Sequence, residues 1–206
     1  MQIDLFLSAF VSMFVVVDPF GTAAVFAALT RGMEKGLRKA IAIKAVVTAS
    51  MILAGFSLLG EPLLDYMGIT LPAFRVAGGL LLFVTAFRMI MGFHDPDQLN
   101  SGNSAYRDRS DIAVFPLAIP LLSGPGCMTA IIMFSSASKN AMEYGQVMAA
   151  TFLVMAIALA SFFFAGLLGR LFGPTGYGII TRVMGVLLCA MSVQFISDGL
   201  HQLFNL

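Results

Sequence analysis

Apolar positions along this chain neither alternate nor recur on one helix face; they run on for twenty residues and more between short polar segments. A helix needs about 20 apolar residues to cross about 30 Å of hydrocarbon. Six such stretches are expected, over residues 4–30, 40–60, 71–91, 112–136, 146–170 and 179–203. GLLLFVTAFRMIMGF and TFLVMAIALASFFFAGLLG are apolar on every side and too long for the alternating strands of an outer-membrane barrel. The expected fold is an all-α membrane protein of six transmembrane helices.

Composition sharpens this. Of 206 residues 59% are hydrophobic and 11% charged, against roughly 25% charged in a soluble domain. A net charge of +1 gives no reason to expect nucleic acid as a partner. The start, MQIDLFLSAF, is acidic where a secretory signal is basic, so the first span is expected to stay in the mature protein. Cys127 and Cys189 both fall inside spans and read as small buried hydrophobes.

Charge then orients the spans. With the N-terminus outside, segments 31–44, 88–111 and 170–182 are cytoplasmic. They hold Arg31, Lys35, Arg38, Lys39, Lys44, Arg88, Arg107, Arg109, Arg170 and Arg182, leaving Arg75 and Lys139 outside. The positive-inside rule therefore puts both termini outside. The basic run RGMEKGLRK needs no further partner, although membrane lipid is within its reach. Residues 94–111, the longest polar run, read as a cytoplasmic linker between a first half, 1–93, and a second, 112–206. His94, Asp95 and Asp97 read as part of that solvated loop rather than as metal ligands.

The halves look alike. RVAGGLLL at 75–82 and RVMGVLLC at 182–189 match with an offset of 107, while Pro19 and Pro125 are 106 apart. Three spans per half force the copies into opposite orientations, as in transporters built from inverted repeats. The first and fourth spans are each expected to be broken, at VVVDPFG and at PLAIPLLSGPG, because proline cannot continue the helix before it. Asp18 is expected to cap the half-helix opened by Pro19, leaving N–H groups near Gly21 and Thr22 without intrahelical partners. Ser123 or Gly124 should cap the one opened by Pro125 and Gly126. Two positive helix ends facing one region suit a small carboxylate, and Asp18 or exposed carbonyls suit an ammonium group. These eight residues are the candidate substrate site.

Thr85 and Ser192, expected at corresponding places in the third and sixth spans, and Gln194 beyond them are candidates to line a path. Arg75, Gly78, Gly79, Arg182 and Gly185 read as packing or pathway positions, and Ala156, Ala160 and Ala165 as tight packing in the fifth span. No lysine or arginine is expected at the breaks, which speaks against a multiply charged anion.

The DPFG motif, Arg75 with Gly78 and Gly79, the PLAIPLLSGPG span and the ITRVMGVLL span together resemble the MarC family of prokaryotic inner-membrane proteins, over nearly the whole chain. The family often has a proline where Ala24 stands, and alanine where Ser123 stands. The resemblance implies a six-span protein of the inner membrane that handles small neutral amino acids such as glycine or alanine.

On the residues alone, the expectation is a secondary transporter without a bound cofactor, working by alternating access around the paired breaks. There is no G-x-x-x-x-G-K-[ST] loop for ATP, so transport must draw on a gradient of protons or sodium. An enzyme is not expected, since His94 and His201 form no H-E-x-x-H pair and no serine has an evident base. A lipid-carrier translocator, passive channel or exporter of other solutes is the alternative on the same fold. Self-association into a homo-oligomer is left open.

Overall fold

A computed structural model describes residues 2–92 and 111–204, so the expected linker falls almost wholly outside the described residues, with His94, Asp95, Asp97, Arg107 and Arg109. Among the described residues every regular element is helical. In chain order they are α1 (Gln2–Val17), α2 (Pro19–Leu29), α3 (Lys35–Tyr66), α4 (Leu71–Met91), a short turn of helix at Asp111–Ala113, a widely wound segment α5 (Val114–Leu122), α6 (Pro125–Ser136), α7 (Ala141–Phe163) and α8 (Ala165–Phe204). Five stretches are long and apolar enough to cross a membrane: Leu5–Leu29, Lys35–Tyr66, Leu71–Met91, Ala141–Phe163 and Gly178–Phe204. The pair α5 and α6, bent by 49°, makes a sixth if counted as one.

Three boundaries differ from the apolar pattern. α3 runs for 32 residues and takes in the basic turn at Lys35, Arg38 and Lys39. α7 starts at Ala141 rather than at 146, because Asn140 accepts the Glu143 N–H at 2.9 Å while the Glu143 carboxylate accepts the Lys139 N–H at 2.8 Å. That reciprocal cap begins the helix before its apolar run does. Residues 170–182, expected as a loop, lie inside α8, which continues for 40 residues.

Small residues set the packing. In α3 Ala42, Ala45, Ala49 and Leu53 are fully buried and face the inside of the bundle. In α7 Ala150, Thr151, Val154 and Ala158 are among the buried positions, whereas Ala156 and Ala160 are exposed. The expected tight-packing face is therefore rotated around the helix, and of the three alanines only Ala165 is buried. α1 and α2 pack on α7, α5 and α6 pack on α3, α2 also meets α8, and α6 meets α4. Phe26 of α2 stacks on Phe162 of α7 with ring centroids 4.6 Å apart.

α4 and α8 run together along most of their shared length and leave the rest of their surface outward. Only 22% of the apolar window of each is buried, against 50% for Leu5–Leu29. Glycines make this pairing close. A Cβ at Gly79 would meet Ile196 and the Ser192 carbonyl, and a Cβ at Gly185 would meet Ile90, Met89 and the Ala86 carbonyl. The two sets of contacts are reciprocal: 79 answers 185, 86 answers 192 and 90 answers 196, each 106 apart. This is the offset of Pro19 and Pro125 and is one less than that of the two arginine motifs. Gly79 rather than Gly78 holds on α4 the packing place that Gly185 holds on α8, and Ala86 rather than Thr85 the place of Ser192. Gly79→Leu should lower stability by about 1–3 kcal/mol through overpacking. Gly55→Leu, where a side chain meets open space, should not; thermal unfolding of the purified protein in detergent compares the two.

Candidate functional site

The chain leaves helical geometry at Asp18, which adopts φ 45°, ψ 71° between α1 and α2. Among residues with a side chain, aspartate tolerates this left-handed conformation better than most. Its Oδ1 accepts the Gly21 N–H at 3.1 Å, and its carbonyl accepts both the Thr22 N–H and the Thr22 hydroxyl at 2.9 Å. Asp18 thus caps α2, with Pro19 at the first turn, where no N–H is needed. Gly21 is required beneath it, since any Cβ there would collide with the Asp18 carboxylate. The Gly21 and Thr22 N–H groups, expected to want partners, are satisfied by Asp18 itself.

The second interruption is built differently. Phe115 and Ile119 take extended φ/ψ values inside α5, as residues before proline do. Pro116 and Pro120 follow them, each across a cis peptide bond. The Ser123 N–H and hydroxyl both donate to the Ala118 carbonyl at 2.9 Å, closing the end of α5. Gly124, not Ser123, is the N-cap of α6, and α6 receives no side-chain cap. The first-turn N–H groups after Pro125, those of Gly126 and Cys127, have no intrahelical acceptor, and the Cys127 N–H lies against its own thiol.

The two interruptions face one cavity of about 430 Å³, within the usual size range of small-molecule sites. From the first come Asp18, Gly21 and Thr22, and from the second Pro120, Gly124, Pro125, Gly126 and Cys127. α4 adds Leu82, Thr85, Arg88 and Met89, and α8 adds Gly178 and Thr181. Charge on the described lining comes from Asp18 and Arg88 alone, so the cavity holds one anionic and one cationic group. The start of α6, which has no side-chain cap, lines the same cavity, and there N–H groups and the helix dipole favour an anion.

Of the residues expected at the site, Asp18, Gly21, Thr22, Gly124, Pro125 and Gly126 line this cavity. Pro19 is buried behind it, and Ser123 is fully buried in its own hydrogen bonds. Thr85 reaches the cavity while donating to the Leu81 carbonyl at 2.9 Å. Other expected path residues lie elsewhere. Ser192 is fully buried against α4 and donates to the Cys189 carbonyl, and Gln194 is exposed and donates to Asp198 at 2.6 Å. Gly78 packs against Thr129, while Gly79 and Gly185 form the α4–α8 crossing. Arg182 is exposed beside Gly92. Arg75 lies near the other end of α4 from Arg88, with its Nε buried and without a hydrogen-bond partner.

Arg88, Cys127 and Thr181 were not expected there. Arg88 overturns the expectation that no cation stands near the breaks: as the last-turn arginine of α4 it looked like a loop charge, and only the packing of α4 against α6 carries it to the cavity. Arg88 follows Thr85 by one turn on the same face of α4, but that spacing does not say which face meets the break.

A chain whose described residues form only helices, five to six of them apolar and of membrane length, around a largely apolar cavity that carries Asp18 and Arg88, is an integral multi-pass membrane protein. The description "MarC family integral membrane protein" matches residues 3–204, and the chain belongs to that family. It is 37% identical over 203 residues to a UPF0056 membrane protein of Aquifex aeolicus, covering 98% of this chain and 94% of that one. UPF0056 membrane protein YvbG of Bacillus subtilis is 31% identical, with 99% and 98% covered. UPF0056 membrane protein YhcE of Escherichia coli is 32% identical, with 95% and 91% covered. No solved structure matches the chain.

Gly21→Ala should push the Asp18 carboxylate off its cap and cost about 1–2 kcal/mol, whereas Asp18→Asn, which keeps an acceptor oxygen, should cost less. Shifts in the thermal midpoint in detergent give both values.

Proposed function

We propose that the protein is a secondary active transporter of small neutral amino acids in the cell inner membrane, with both termini outside. The observation that carries this reading is the single cavity that joins Asp18, the uncapped start of α6 and Arg88. Its charges match a zwitterion. The carboxylate of glycine or alanine meets Arg88 and the N–H groups of Gly126 and Cys127, and the ammonium group meets Asp18. Little side-chain bulk stands at the breaks, which favours a small substrate.

The reading includes two inverted three-span repeats, related by an axis through the α4–α8 crossing. Reciprocal glycine contacts with one offset support it. So does the neighbour pattern: α1 and α2 on α7 is answered by α5 and α6 on α3, and α2 against α8 by α6 against α4. Such repeats operate by alternating access around a fixed central site. In the proposed orientation Arg88 and Thr181 lie toward the cytoplasm, so the present cavity is the inward-facing one. Asp18 is the group that exchanges a proton with each cycle.

The test is uptake of radiolabelled glycine and alanine into liposomes under imposed proton or sodium gradients. Saturable uptake is expected, with KM raised about tenfold or more in Arg88→Gln, the loss of one charge-assisted hydrogen bond. Asp18→Asn should remove the dependence on the proton gradient; uptake that stays equally sensitive to pH takes that role from Asp18. Unsaturable flux would favour a channel, and movement dependent on lipid headgroup a lipid-carrier translocator.

A further inference from the structure

Among the described residues three, Arg38, Arg75 and Gln146, keep a buried side-chain polar atom without a hydrogen bond, and of these Arg75 stands on α4. It stands in the second turn of α4, thirteen positions before Arg88, on the helix whose far end supplies the cavity's cation. Its Nε is buried with no hydrogen-bond partner. A guanidinium nitrogen held that way is costly, and an arginine near a helix end more usually extends its head to the headgroups. The present arrangement leaves this one nitrogen of the half-buried Arg75 unsatisfied, so another arrangement that satisfies it is worth seeking.

The α4–α8 crossing says where to look. Its reciprocal contacts relate positions 106 apart, and by that rule Arg75 occupies on α4 the place that Thr181 occupies on α8. Thr181 lines the cavity. By the same rule the counterpart of Arg88 is Gln194, and that of Leu82 is Leu188, each of these leucines being 1% exposed. Exchanging the two halves therefore closes the cavity at Arg88 and Thr181 and opens one on the opposite side, where Arg75 and Gln194 replace them.

We propose that Arg75 lines a second, outward-facing cavity that forms as the present one closes, and that its guanidinium there receives the carboxylate of the incoming solute. This rests on the alternating-access reading above and on a solute that bears a carboxylate, not on which amino acid is carried. α4 thus bears an arginine for each face of the membrane, and the carboxylate passes from Arg75 to the start of α6 and on to Arg88. Each cavity holds one cation, contributed at non-equivalent positions, which keeps the charge offered to the solute the same on both sides.

The proposal is tested by accessibility, which needs no substrate. In a background of Cys127→Ala and Cys189→Ala, Arg75→Cys is treated with a membrane-impermeant thiol reagent from each face. It should react from one face only, opposite to the face from which Thr181→Cys reacts. Adding Thr181→Trp, which wedges the present cavity open, should slow the Arg75→Cys reaction about tenfold or more by depleting the other state. An unchanged rate would mean a permanently exposed, headgroup-facing arginine, and no reaction a purely structural one; either overturns the proposal. Arg75→Lys, read with an impermeant amine reagent and peptide mapping, repeats the test with the charge retained should the cysteine variant misfold. State-dependent reaction without glycine or alanine uptake would keep the second cavity and discard the solute.

Discussion

Hydrocarbon supplies no hydrogen bonds, so a helix interrupted within a membrane must find partners for its own backbone. The two interruptions in this chain meet that demand in opposite ways, and the site follows from the difference. At the first, Asp18 turns its carboxylate back onto the Gly21 N–H and its carbonyl onto Thr22, closing the gap with local groups. At the second, Ser123 closes the end of α5 on the Ala118 carbonyl, but Gly124 has no side chain to offer the start of α6 and gives only its carbonyl, to the Met128 N–H. One break is therefore self-sufficient and negatively charged, and the other retains unspent donors. A cavity between them is polarised before any solute arrives.

That polarity is held in place by close contact. Leu82 packs where a side chain on Gly126 would stand, and Thr129 where one on Gly78 would stand, so α4 lies directly against the start of α6. The same helix meets α8 through Gly79 on another face. α4 is thus wedged between the break and the lipid-facing layer, and Arg88 reaches the cavity as a result.

Much of this was legible in the sequence. Runs of apolar residues marked the spans, and Asp18-Pro19 and Ser123-Gly124-Pro125 marked the interruptions, because proline and a capping residue act locally whatever surrounds them. Where local rules stop, so did the reading. The start of α7 was missed because its cap lies in Asn140 and Glu143, outside the apolar run. Residues 170–182 looked like a loop because glycine and proline cluster there, yet α8 continues through them. Arg88 and Thr181 reach the cavity only through the packing of α4 and α8, which no spacing along one strand of sequence encodes. The arginine motifs, 107 apart, and the reciprocal glycine contacts, 106 apart, differ for a related reason: matching arginines is a statement about letters, whereas glycine contacts are a statement about space.

The close fit of α8 on α4 has a mechanical consequence. Its contacts run from Gly185, against Ala86, Met89 and Ile90, to Gly199, against Pro72 and Val76. That seam takes up about 20 Å of α8 at the rise of a helix. Two rods held along such a length do not tilt about one point, so α4 and α8 turn as one body and carry Arg75 and Arg88 with them.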